Sequence, residues 1–261
     1  MVMKWTLILL IGLGANNAFG QVQNEVKKVL ATKDFIAFKT YTDNLSMKDK
    51  NVTSNWDNFR DLTTDFQEGT FIFSKYADDK NSSEIGFLRT FRVRLLATDK
   101  IIAYYELSEM KYKKVGDDEW DPYYEFIEKY KDEKAFSKLS ASFKEAYQAD
   151  LNEKELFVTD FVYGEACGFS GTDPVGRRQV DKWVLEKNKP ELLRWLKSTN
   201  TEKQVYAVDG LLQLRKRGMK LADNEMSVMK CIIKKRGTIN ACSGCTYYNG
   251  DIKIVAKNFN L

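Results

Sequence analysis

"FLRTFRVRLLATDKIIAYYELSEMKYK", residues 87–113, holds two runs of β-branched and aromatic residues on either side of Asp99 and Lys100. Runs of this kind, parted by a short polar break, read as antiparallel strands joined at a hairpin tip. Phe87, Phe91, Val93 and Leu95 give the first run a partly regular apolar face, since successive side chains of a strand alternate between its two sides. Upstream, "GTFIFSKY" (69–76) has the same character and is followed by the turn-like "ADDKNSSE" (77–84). The stretch from Phe66 to Tyr112 therefore predicts an antiparallel meander.

On either side the pattern changes. "NEVKKVLATKDFIAFKTYTDNL" (24–45) spaces Val26, Val29 and Leu30 as a helix does and becomes ambiguous at Ile36 and Phe38. "SMKDKNVTSNWDN" (46–58) is polar and reads as a loop. "VGDDEWDPYYE" (115–125) interrupts the strands, with Pro122 placed as in the first turn of a helix. Phe136, Leu139, Phe143 and Ala146 then form one stripe of an amphipathic helix. "ELFVTDFVYGEA" (155–166) fits a buried strand or helix equally well. Beyond Pro174 the signals are helical. Thr172 or Asp173 can cap the first helix, Pro190 suits a first turn, Asn200 or Thr201 caps a third helix that ends at Gly218, and Asp223 or Asn224 leads a fourth that ends at Gly237. The expected fold is α+β: an N-terminal helix and antiparallel β-meander, followed by a helical, repeat-like C-terminal region. The corresponding segments are a signal peptide at 1–20, an α+β region at 21–122 and a helical region at 123–261 with a disulfide-linked tail.

The signal peptide rests on "MVMKWTLILLIGLGANNAFG", one lysine followed by an apolar run and small residues, with cleavage expected before Gln21. The apolar run is shorter than the ~20 residues a bilayer requires, so no membrane span is expected once it is removed. Export to the periplasm or the exterior follows. Lys and Arg number 41 against 37 Asp and Glu, an excess too small and too dispersed for a nucleic-acid partner. The dense basic runs "LRKRGMK" (214–220) and "KKRG" (234–237) fall where helices end, and cations there complement the helix dipole.

The chain has no histidine. Serine-hydrolase triads, histidine-dependent cysteine proteases and His-ligated metals are thereby excluded in their ordinary forms. "ACGFSG" (166–171) resembles a nucleophile elbow only superficially, and its residues suit a tight turn. No cofactor or metal is implied.

Four cysteines, Cys167, Cys231, Cys242 and Cys245, form an even set in a chain bound for an oxidising compartment, which reads as two disulfides of open connectivity. Cys242 and Cys245 make a Cys-x-x-Cys, and thiol–disulfide oxidoreduction is the alternative reading of that pair. A thioredoxin-like site places the motif at a helix N-terminus that lowers the thiol pKa, whereas a turn-like and then strand-like segment follows Cys245 here. A four-thiolate zinc site would want two close pairs, and Cys167 and Cys231 stand alone. The reading favoured is a long bridge from Cys167 to the tail.

A second candidate is "DDEWDPYY" (117–124), whose Trp120, Tyr123 and Tyr124 lie among carboxylates as on sugar-binding surfaces. The structural alternative is core aromatics behind a helix N-terminus. Finally, residues 200–237, with Val205, Ala207, Val208, Leu211 and Leu212 on the first helix of a pair, resemble a HEAT-like helical repeat, and with "INACSGC" they are similar to the ends of uncharacterised secreted bacterial proteins. The resemblance covers under half of the chain and implies a binding scaffold more than an enzyme. The function expected is non-catalytic binding of another protein or envelope component, with the oxidoreductase and a carbohydrate-binding module as alternatives.

Overall fold

A computed structural model of the chain describes residues 21–76, 89–116, 118–257 and 259. The signal peptide expected at 1–20 and the turn expected at 77–84 lie outside the described residues. The chain divides into two compact units, one formed by the chain up to Trp56 with Thr70–Asp132, the other by Asp57–Gly69 with the chain from Glu133 onward.

In the first unit, residues 21–31 are helical (α1) and are followed by α2 (Phe35–Asp43) and α3 (Leu45–Lys48). Asp34 caps α2, its carboxylate accepting from the Ala37 amide at 2.9 Å. Strands β1 (Val52–Asp61), β2 (Gln67–Lys75), β3 (Arg89–Ala97), β4 (Ile102–Lys114) and β5 (Trp120–Lys131) follow in a sheet whose order is their sequence order, the antiparallel meander expected, with residues 57–61 of β1 and 67–69 of β2 counted in the second unit. Phe91, Val93 and Leu95 all face inward, and Thr98 to Ile101 close the β3–β4 hairpin at Asp99 and Lys100. Val26, Leu30 and Phe38 are fully buried, and Phe38 meets Phe71 edge-on at 6.1 Å while Phe73 stacks on Phe91 at 5.0 Å.

Two expectations fail here. The polar stretch 46–58 is not a loop, because it supplies α3 and most of β1. Trp56, packed on Phe38 at 6.1 Å and on Phe71 at 5.3 Å, anchors a strand whose remaining side chains are largely polar. Pro122 opens no helix and lies inside β5, opposite Tyr112. β5 is an edge strand, where a residue without an N–H costs the ladder nothing if it points outward.

The second unit contains α4 (Glu133–Tyr147), a 3₁₀ turn at Glu153–Glu155, β6 (Tyr163–Glu165), α5 (Val175–Leu185), α6 (Lys189–Leu196), α7 (Thr201–Lys216), α8 (Asp223–Ile233), β7 (Thr238–Ser243), β8 (Thr246–Asp251) and α9 (Ile252–Ala256). The α4 stripe buries Phe136, Leu139 and Phe143, with Tyr147 closing it. Asn200 caps α7 as expected, accepting from the Lys203 amide at 2.9 Å. The undecided stretch 155–166 is mostly irregular and ends in β6, which runs parallel to β7. Asp173 does not cap α5: it accepts instead from the Ala166 amide at 2.8 Å. Gly237 does not end α8 either. At φ 103° it meets Arg60, where any side chain would run into the Phe59 carbonyl and the Arg60 backbone.

That contact borders a buried charge cluster. Arg60 is almost wholly enclosed and donates to Glu68 at 2.6 Å and to Glu202 at 2.5 Å, while Glu202 also accepts from the Asn240 amide at 2.9 Å. Lys235 donates to Gln204 at 2.7 Å and Thr201 at 3.3 Å, and Arg236 pairs with Asp61 at 3.0 Å. The basic run 234–237 therefore does not simply complement a helix dipole, since it places a lysine in the core. Burial pushes the Lys235 pKa down to about 7, with the Arg60 guanidinium adding to the effect and Glu68, Asp61 and Glu202 opposing it. In the unfolded chain the group titrates near its usual value of 10.5. Between those values the unfolded chain binds the extra proton, so stability should rise with pH from about 7 towards 9, by at most ~1.4 kcal/mol per pH unit. Urea unfolding across that range measures the slope, and Lys235→Met should flatten it. An equal slope in the variant would assign the effect elsewhere.

Candidate functional site

Strand periodicity places Trp120, Pro122, Tyr124 and Phe126 on one side of β5. Opposite them on β4 stand Lys114, Tyr112, Met110 and Ser108, and opposite Ser108 on β3 stands Arg92. Phe91, Val93 and Leu95 point the other way into the core, and on this side Ser108 and Leu96 are also buried, whereas the end of β4 and β5 from Tyr112 and Trp120 onward is exposed and forms the outer face. Trp120 is 58% exposed, Tyr112 55% and Phe126 55%, which is unusual for large aromatic side chains on one strand pair. Tyr124, half-buried, lies beneath the Arg92 guanidinium at 3.5 Å from its ring centroid, a close cation–π contact. The register adds Arg94, Lys129 and Lys131 to the same face, beside Lys114 and Arg92. Glu106 of β4 lies on the same face, opposite Arg94 and Lys129. Tyr104 donates to it at 3.2 Å, and Lys129 lies 5.3 Å over the Tyr104 ring.

The trio expected from the sequence is thus divided. Trp120 and Tyr124 share the outer face, whereas Tyr123 projects from the opposite one, across from Lys111. Tyr112, Phe126 and Arg92 were not foreseen. The signal was present as an i, i+2 repeat from 120 to 126, but a helix begun at Pro122 destroys that period.

The cysteines lie in the second unit. Cys167, in the turn after β6, is bonded to Cys242 of β7, with Cα atoms 5.7 Å apart. This is the long bridge from the turn to the tail. Cys231, on α8, and Cys245 are free and exposed, so the second disulfide anticipated from the even count does not form. Cys231 lines a hollow of about 390 Å³ with Asp65, Ser142 and Glu145 and does not join the other three, so no four-thiolate site is assembled. Cys245 occupies the two-residue turn between β7 and β8, with Ser243 paired to Thr246 and Gly244 at φ 55°. The Cys-x-x-Cys therefore sits on a β-hairpin instead of at a helix N-terminus. Beside the bridge is a cleft of about 570 Å³, lined among others by Phe161, Gly168, Ser170, Asp173, Arg178 and Tyr247. Ser170, of the elbow-like "ACGFSG", bonds Thr172 at 2.7 Å in an exposed turn, as turn chemistry requires.

Among the described residues, no group of three or more metal-ligating side chains is present, and no helix is long and apolar enough to cross a membrane. Comparison with protein families, with characterised proteins and with solved structures finds no match to this chain.

Proposed function

We propose that the protein is an exported, non-catalytic binding protein that holds an acidic polysaccharide along the outer face of β3–β5. The observation that carries this reading is the file of exposed rings at Trp120, Tyr112 and Phe126, with the exposed Lys114 and Lys129 on the same side. Alternate residues of a strand lie about 7 Å apart, so Trp120 and Phe126 are separated by roughly 20 Å along β5, a span suited to several consecutive sugar rings. Planar side chains offer faces to the C–H side of a pyranose, and the exposed Lys114 and Lys129 ammonium groups offer charge to its carboxylates. Pro122 interrupts the free edge, which disfavours an added peptide strand as the occupant. The disulfide is compatible with export and with removal of residues 1–20 before Gln21. The HEAT-like reading of the helices α7 and α8 belongs with the same scaffold role.

Electrophoresis through gels containing polygalacturonate or alginate tests the proposal, with a neutral glucan gel for comparison. The protein should be retarded in the acidic gels, less so at high salt. Trp120→Ala with Phe126→Ala should weaken retardation at least about tenfold, the equivalent of ~1.4 kcal/mol, while leaving unfolding unchanged. Retardation in neither acidic gel, equal retardation in the neutral gel, or wild-type behaviour of the double variant would overturn it.

A further inference from the structure

Three of the four cysteines are gathered around one short turn. β6 runs against β7 with Gly164 opposite Cys242, and a side chain at Gly164 would strike the Cys242 sulfur and carbonyl. Past β6 the chain turns through Ala166, Gly168 and Gly171 at φ 50°, 74° and 60°. Ala166 is the residue of the three that tolerates this poorly, at a cost of about 1–2 kcal/mol. It stands next to Cys167 and is held by its bond to Asp173. From the other side, Gly168 donates to the Gly244 carbonyl at 2.8 Å, and the Cys245 sulfur lies 3.9 Å from the Gly168 carbonyl oxygen. The free thiol therefore touches the neighbour of one half-cystine and is three residues from the other. It is exposed, whereas Cys167 and Cys242 are 6% and 4% exposed.

We infer that Cys167, Cys242 and Cys245 form a thiol–disulfide exchange site in which Cys245 displaces Cys167. The Cys245 thiolate, its proton lost to solvent, attacks the sulfur of Cys242. The Cys242–Cys245 bond forms as the Cys167–Cys242 bond breaks, and the electron pair leaves on Cys167, which takes a proton from solvent. One thiol and one disulfide exist before and after, so no oxidant or reductant is needed. The entropic advantage of a long disulfide loop belongs to the unfolded chain and does not hold the native isomer in place. Exchange removes the covalent tie on the 166–173 turn, which forms one wall of the 570 Å³ cleft, and leaves the left-handed Ala166 held by its hydrogen bond to Asp173.

The test uses the native protein in a Cys231→Ser background, which removes the remaining thiol. It is held at neutral pH and in mildly alkaline buffer, then alkylated with iodoacetamide and mapped as peptides by mass spectrometry. A fraction of chains should carry the label on Cys167 with Cys242 bonded to Cys245, and that fraction should grow faster at the higher pH. With Cys245→Ser added, Cys167 should stay unlabelled over the same time. An unlabelled Cys167 in the parent, equal labelling in the Cys245→Ser protein, or a Cys167–Cys245 bond in its place would overturn the inference.

Discussion

Glu202→Gln should destabilise the second unit by about 3–5 kcal/mol, the cost of removing one partner from a buried ion pair. The substitution keeps the volume and removes the charge. Arg60, with 1% of its side chain exposed, would retain Glu68 but lose its second carboxylate, and the Asn240 amide would lose a charged acceptor. Water cannot replace what is lost at this depth, whereas at the surface it does. Glu191→Gln, which breaks the exposed pair with Arg194 at 2.7 Å, should cost less than about 0.5 kcal/mol and serves as the reference. Urea unfolding of both variants measures the difference. A loss at Glu202 no larger than at Glu191 would show that Arg60 does not depend on its carboxylates for burial.

Cys167→Ser is expected to cost about 4 kcal/mol. The bridge joins residues 75 apart, and constraining a loop of that length lowers the entropy of the unfolded chain by roughly this amount. Cys242→Ser should match it, because either change opens the same loop. Cys231→Ser should leave stability nearly unchanged, its thiol being exposed and unbonded. Reductant added to the wild type should bring its unfolding midpoint down to that of Cys167→Ser. A midpoint that does not respond to reductant would remove the bridge from the account of stability.

The meander was legible because β3 and its neighbours are buried on one face, so Phe91, Val93 and Leu95 recur with the strand period. Helices α6 and α7 were legible through Pro190 and Asn200, whose roles at a first turn and a cap are local. What escaped was non-local. β1 is held by Trp56 against rings from other elements, so its own composition looks like a loop. Pro122 carries two local meanings, helix start and edge strand, and only the pairing with β4 distinguishes them. Gly237 fits a helix end in sequence, yet its backbone is required by Arg60, far away in the chain. The same limit applies to the sites. The bridge from Cys167 to the tail followed from compartment and spacing, but which sulfur is left over depends on the parallel ladder between β6 and β7, and a three-residue strand leaves no period to read. Likewise Arg92 joins the aromatic file through register alone.

The inclusion of Asp57–Gly69 in the second unit has a consequence for biosynthesis. These residues leave the ribosome early, yet the groups that complete their surroundings come much later: Tyr147, which donates to the Leu62 carbonyl at 2.9 Å, then Glu202, then Arg236. Arg60 stays solvated until Glu202 has been translated, so the desolvation of this guanidinium is deferred until most of the chain exists. A nascent chain halted after Asp132 would present Leu62 and Phe66, both buried in the finished protein, with no second unit to receive them.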